Sequence, residues 1–224
     1  MKKPSLVVLI SGSGSNLQAI IDAINSHQLN AEIKAVISNQ VSAKGLVRAA
    51  SEDITKHVVD HKLYPSRELF DQAMIQIIDP LKPDLVVLAG FMRILGDNFI
   101  EHYQDRLINI HPSLLPKYKG LNTHQKAIAN KDKIHGASVH YVDIELDSGP
   151  IVIQTEVSVQ AKDSAETLAA RVLTEEHKIF PLAIKMHTEG RIKFKDKQLL
   201  LDDQILKKPL LWKNNQLTDA DYTD

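Results

Sequence analysis

The sequence predicts an α/β fold: a mostly parallel, twisted sheet flanked by helices, Rossmann-like in its first half, with an antiparallel C-terminal extension. Three observations predict it. Ser5–Ser11 and Asp84–Gly90 are continuous apolar runs, the pattern of strands buried on both faces. Helix-like stretches alternate with such runs through the first half, as parallel strands joined by crossover helices require. In the second half two longer apolar runs flank Asp147-Ser148-Gly149-Pro150, a turn signal between antiparallel strands.

The elements follow in order. Ser5–Ser11 is the first strand, and Ser15–His27 a helix with Leu17, Ile20, Ile21 and Ile24 at helical spacing. Between them Ser15 is positioned as an N-cap. Glu32–Ser38 is a second strand, Lys44–Glu52 a helix and Lys56–Asp60 a short strand. Ser66 caps a helix over Ser66–Ile78. Pro83 precedes the strand Asp84–Gly90; Gly96–Tyr103 is helical, and Leu107–Pro112 is a strand that must stop at Pro112, which has no N–H for a ladder. After a helix near Thr123–Ala129, Gly136–Glu145 and Ile151–Val159 pair. Asp163–Thr188 is a long helix kinked at Pro181, with Asp163 and Glu166 at capping-box spacing and Ser164 as the alternative cap. Arg191–Asp202 is a final hairpin. From Asp203 the chain is polar, acidic at Asp219, Asp221 and Asp224, and expected to fray. The 224 residues thus form a single domain, with a Rossmann-like half over 1–112, a second half over 113–202 and a polar tail over 203–224.

Composition sets limits. Hydrophobic content of 43% and charged content of 25% are those of a soluble globular protein. There is no cysteine, so disulfides and thiol-based metal or redox sites are excluded. Met1-Lys2-Lys3-Pro4 followed by Leu6–Ile10 imitates a signal peptide, but the apolar run is too short, and no stretch is long enough to span a bilayer. A formal net charge of -1 gives no broad positive field for nucleic acid, so an anionic ligand must be gripped locally. No His/Glu cluster has metal-ligand spacing, and no metal is expected.

Two places carry chemistry. Gly12-Ser13-Gly14-Ser15-Asn16 joins the first strand to the first helix, where unpaired N–H groups and the helix dipole suit a phosphate. The bland reading is a tight turn. Leu17 stands where the third glycine of a dinucleotide fingerprint belongs, and the second strand ends at Ser38-Asn39 with no acidic residue for a ribose. A monophosphate ester fits better than NAD. In Asn109-Ile110-His111-Pro112-Ser113-Leu114-Leu115-Pro116, strand alternation puts Asn109 and His111 on one face and Ile108 and Ile110 on the other. Two convergent donors at a strand end suit an oxyanion in a transition state. Singly, Asn109 also reads as a turn amide and His111 as a packed histidine.

These motifs carry a resemblance. The segment Asn109–Pro116 with Lys117-Tyr118-Lys119-Gly120, Ile10–Gln18, Val86–Leu95 and Glu145–Pro150 resemble the folate-dependent formyltransferases in order and over most of the chain. The resemblance implies the formyltransferase fold and a catalytic trio of Asn109, His111 and Asp147. It implies that Gly14, Ser15, Asn16, Leu17 and Gln18 bind the phosphorylated amine substrate. It implies a folate site of Arg67, Met92, Arg93, Ile94, Leu95, Asn109, Asp143 and Asp147. Substrate contacts map to Leu173–Glu176, and helical periodicity flags Glu176 independently, as a carboxylate in the apolar ridge Leu168, Val172, Phe180. Lys117, Lys119 and His124 lie at the site's edge. The family's central loop Asn is Ser13 here, its Gly after the aspartate is Ser148, and its frequent Pro is Lys119.

The implied activity is transfer of the formyl group of 10-formyltetrahydrofolate to the amine of glycinamide ribonucleotide in purine synthesis. It would proceed by direct attack without a covalent enzyme intermediate, on small-molecule substrates, in the cytoplasm, as a monomer or homodimer, with neither nucleic acid nor membrane as partner. Formyltetrahydrofolate hydrolase shares the trio but usually carries an N-terminal regulatory domain, and methionyl-tRNA formyltransferase carries a C-terminal RNA-binding domain. This chain is expected to have neither. A non-catalytic module binding a phosphorylated metabolite is the reading from another class.

Overall fold

The structure is a computed structural model and describes residues 2–218. The acidic positions Asp219, Asp221 and Asp224 lie outside the described residues. The chain divides into two compact units on either side of the Asn109–Ile110 bond, inside the strand that was expected to close the first half.

The first unit alternates strand and helix: β1 (Ser5–Ile10), α1 (Ser15–Asn25), β2 (Glu32–Ser38), α2 (Gly45–Ser51), β3 (Lys56–Val58), α3 (Arg67–Ile78), β4 (Leu85–Leu88), α4 (Asp97–His102) and the start of β5 (Leu107–His111), whose last two residues belong to the second unit. Its strands lie in the order β5-β4-β1-β2-β3, every pair parallel. Every residue of β1 and β4 is buried, which is why both read as unbroken apolar runs. The order reverses direction at β1, with β4 on one side and β2 on the other, and ligands of open α/β sheets gather beyond the strands' carboxyl ends at such a point. Ser66 caps α3 as expected, accepting from the Leu69 N–H at 3.3 Å. Ser15 does not cap α1; Gly14 does, in the left-handed region at φ 68°, and Ser15 is the first helical residue.

The second unit holds α5 (Thr123–Ala129), β6 (Ile134–Tyr141), β7 (Ile151–Ser158), α6 (Ala165–Thr188), β8 (Ile192–Lys195), β9 (Gln198–Leu201), β10 (Gln204–Ile205), β11 (Leu210–Lys213) and β12 (Gln216–Thr218). β6 and β7 pair antiparallel, as their turn predicts; β11 then adds to β7 in parallel and β12 to β11 antiparallel. β8, β9 and β10 form a separate antiparallel sheet. α6 lies along β6 and β7 with Leu168, Val172, Ile179, Phe180 and Ile184 in the core. Its cap is Ser164, reciprocated by Thr167 rather than Glu166. Asp163 instead accepts from the Gln160 N–H and from Arg171. The helix runs through Pro181 as one span.

The expected polar tail is corrected here. Within the described residues, 203–218 carries β10, β11 and β12, because Leu210 is buried beside β7. Three two-residue turns make the strand pairs of this end: Asp196-Lys197, Asp202-Asp203 and Asn214-Asn215, with all six residues at positive φ. That is the backbone of a hairpin turn matched to sheet twist, which Asn and Asp tolerate without glycine and which they fill at every position but Lys197.

Candidate active site

Beyond the carboxyl end of β1 the chain makes the turn Gly12–Asn16. A Cβ added at Gly14 would stand 2.5 Å from the Gly45 Cα, and the Gly45 N–H donates to the Gly12 carbonyl at 3.0 Å. Only glycine fits there, by conformation and by contact. Asn16 is buried, and Leu17 packs fully into the core, so Leu17 offers this turn its backbone only. The Gln18 side chain is committed to Asp22 and to Arg48. Arg48 was missed by the sequence reading: its Nε donates to the Ser13 carbonyl at 2.9 Å. An arginine inside a helix gave no signal of reaching a turn distant in sequence.

Beyond β4, Gly90 at φ 73° turns the chain into Met92–Leu95. Met92 and Ile94 are 67% and 54% exposed, whereas Leu95 is buried. The Arg93 guanidinium stacks 4.7 Å from the Phe70 ring centre. Arg67 is exposed at the start of α3. Near both guanidinium groups lies Asp71, whose Oδ2 takes the Gly96 N–H at 2.7 Å; burial raises its pKa, against the pull of that N–H and of the two arginines.

The second unit assembles His111 and Asp147, which no spacing in the sequence joins. Their side chains are 7% and 8% exposed, with Nδ1 of His111 3.4 Å from Oδ2 of Asp147. The other ring nitrogen, Nε2, meets the Tyr118 carbonyl at 2.9 Å. Asp147 sits at φ 48°, and its Oδ2 accepts the Gly120 N–H at 2.8 Å. The segment after the motif therefore touches both partners, a carbonyl on the imidazole and an N–H on the carboxylate.

His140 completes the pair and was also missed. Its Nε2 lies 3.7 Å from Asp147 Oδ1, and its Nδ1 contacts the Tyr141 carbonyl at 2.8 Å. Burial pushes its pKa down to about 4, although that carbonyl and Asp147 both favour the charged ring. In β6 nearly every position is buried, so a histidine in that apolar run reads as core.

Asn109 is half-buried on β5, opposite Leu88 in the register with β4. Asp143 is exposed and its Oδ1 accepts the following N–H at 2.7 Å, a local turn contact. Glu176 is buried in the α6 ridge, as periodicity required. The edge residues are engaged elsewhere: Lys117 with Asp132, Lys119 with Glu145, and His124 with His135 at 3.1 Å. Among the described residues no group of three His, Cys, Asp or Glu is gathered as a metal ion would need, and no helix is long and apolar enough to cross a membrane.

Known proteins are similar to this chain over most of its length. The formyl transferase family model matches residues 5–184. A protein of Escherichia coli (strain K12), phosphoribosylglycinamide formyltransferase, is 50% identical over 202 residues, which cover 90% of this chain and 95% of that one. The human trifunctional purine biosynthetic protein adenosine-3 is 42% identical over 191 residues, 85% of this chain and 19% of that protein. A solved structure of phosphoribosylglycinamide formyltransferase from Coxiella burnetii aligns with a TM-score of 0.87 at 48% identity, over 91% of this chain and 96% of that one. On the match across 5–184 and the 50% identity, this chain belongs to the formyl transferase family.

Proposed function

We propose that this chain transfers the formyl group of 10-formyltetrahydrofolate to the amine of phosphoribosylglycinamide, a step of purine synthesis. The observation that carries the reading is the buried His111–Asp147 pair, closed by Tyr118 and Gly120. The phosphate lies on the Gly14–Asn16 amides at the start of α1, and Glu176 accepts hydrogen bonds from the same substrate. The folate lies along Met92–Leu95, with Arg67, Asp143 and Asp147 contributing.

The neutral amine attacks the formyl carbon, forming a C–N bond and a tetrahedral oxyanion. Asn109 and His111 donate to that oxygen, which replaces the Tyr118 carbonyl as the acceptor of the Nε2 proton. Asp147 orients the imidazole from its Nδ1 side and takes the proton that the attacking amine loses. Collapse breaks the bond from carbon to the folate nitrogen, and the same proton passes to that nitrogen. His140, neutral and donating through Nδ1 to Tyr141, keeps its Nε2 3.7 Å from Asp147 Oδ1 and so adds no second cation beside the carboxyl. No metal enters any step. The enzyme works in the cytoplasm as a monomer or homodimer, on small molecules and without nucleic acid.

The test mixes purified protein with both substrates and follows ultraviolet absorbance as the folate loses its formyl group. Turnover is expected only with the ribonucleotide present. Equal turnover without it would assign the formyl group to water instead, and binding of both ligands without turnover would reduce the chain to a binding module.

A further inference from the structure

The stretch from Gly90 to Gly96 has neither helix nor strand of its own. Met92 and Ile94 leave their apolar side chains in solvent, and Arg93 between them packs its guanidinium on the Phe70 ring. Two buried side-chain oxygens hold the backbone on either side. Asp71 Oδ2 holds the Gly96 N–H, and Ser11 Oγ holds the Met92 N–H, each at 2.7 Å.

Ser11 is set up as an acceptor. A serine hydroxyl has one proton, and Ser11 gives it to Asn39 Oδ1 at 2.6 Å, inside the protein. What faces Met92 is then a lone pair. Ser11 also donates its own N–H to the Gly90 carbonyl at 3.2 Å, so it grips the segment at two points. Asn39 is 1% exposed, and its backbone carbonyl meets His61 Nδ1 at 2.9 Å. The residue stands just past β2, where a dinucleotide-binding fold keeps an acidic side chain for the ribose. Here the position carries an amide whose oxygen is turned onto Ser11.

We propose that Ser11 is a positioning residue for the one-carbon donor. Aimed by Asn39, its hydroxyl sets the Met92 backbone at the height and direction that the folate ring requires. The inference rests on the reading of Met92–Leu95 as the folate segment given above. Ser11 touches no substrate and acts through Met92. It is the last residue before the Gly12–Asn16 turn, so the strand that presents the phosphate also carries the support of the donor segment.

The test is steady-state kinetics on the full chain with Ser11→Ala, Ser11→Thr and Asn39→Asp. Ser11→Ala leaves the Met92 N–H without its acceptor, and KM for 10-formyltetrahydrofolate rises about tenfold. KM for the ribonucleotide moves less than about twofold, and kcat falls by less than donor KM rises. Ser11→Thr keeps the hydroxyl and Asn39→Asp keeps its acceptor, so both hold donor KM within about threefold of wild type. An unchanged donor KM in Ser11→Ala, or an equal rise in both KM values, overturns the proposal. Should Ser11→Ala fail to fold, amide hydrogen exchange on the wild-type protein decides. Met92 must exchange more slowly than the exposed Ile94, and more slowly again when tetrahydrofolate is added. Equal exchange at the two amides also overturns it. Wild-type protein without turnover would strike the formyl-transfer reading itself, whereas an active wild type with an indifferent Ser11 strikes this inference alone.

Discussion

Asp147 occupies the left-handed region at φ 48°, which aspartate tolerates better than most non-glycine residues. There its carboxylate meets three groups: one oxygen takes the Gly120 N–H while facing His111, and the other faces His140. Removing the charge while keeping the shape isolates its role. Asp147→Asn is expected to lower kcat by roughly 10²–10⁴ as a lost acid or base, and Asn109→Ala and His111→Ala by roughly 10²–10³ as lost oxyanion donors. Circular dichroism and melting should be near wild type in all three, and near-normal turnover in all three would sink the mechanism. The sequence made half of this site legible. Asn109 and His111 could be read because strand alternation is local: two residues apart means one face. The meeting of His111 with Asp147 and His140 depends on where the loop after β6 returns, which no local periodicity encodes.

At the scale of elements, the first unit was readable nearly strand by strand, because parallel strands buried on both faces announce themselves as apolar runs. The end of the chain was not. Its strands are short, their turns use Asn and Asp instead of glycine, and only Leu210 among residues 203–218 is buried, so the pattern resembled a solvated tail. Two elements permit sharp predictions. Gly14→Ala places a methyl 2.5 Å from the Gly45 Cα at a positive φ, so α1 and α2 must separate at the turn. The expected result is about 1–3 kcal/mol of lost stability by urea titration, with a larger rise in KM for the ribonucleotide than for the folate. A Gly14→Ala protein with wild-type stability would show that the turn relaxes without cost. On α6, Ser164 and Thr167 satisfy each other's N–H groups at 3.2 and 3.0 Å. Ser164→Ala should cost about 1 kcal/mol, a fall of roughly 2–4 °C in Tm for a chain of this size. Glu176 lies about three turns further along, beyond the reach of a frayed first turn, so turnover should persist.

The molecule as a whole carries its histidines in a way that sets its response to acid. His135 and His140 are buried and pushed down to about 4 from an ordinary 6.5, and burial lowers His124 as well. Between about pH 6.5 and about 4 the His135 and His140 rings stay neutral when folded but take up protons when the chain unfolds. The unfolded state then binds more protons, so stability rises with pH across that window and is fully present above it. Asp163, held far below the usual carboxylate range by Arg171, loses its contribution only at lower pH, beneath the histidine window. Asp71, raised by burial, works in the opposite direction and offsets part of the slope. Urea titrations at about pH 7.5, about 6 and about 5 should therefore show midpoints that hold steady near the top and drop toward the bottom. His135→Gln, which removes one buried ring from the titration, should flatten that drop even if it lowers stability everywhere. Midpoints that stay level from about pH 7.5 to about 5 in the wild type would mean that the buried histidines are not held neutral, and His140 would then not be the neutral ring that faces Asp147.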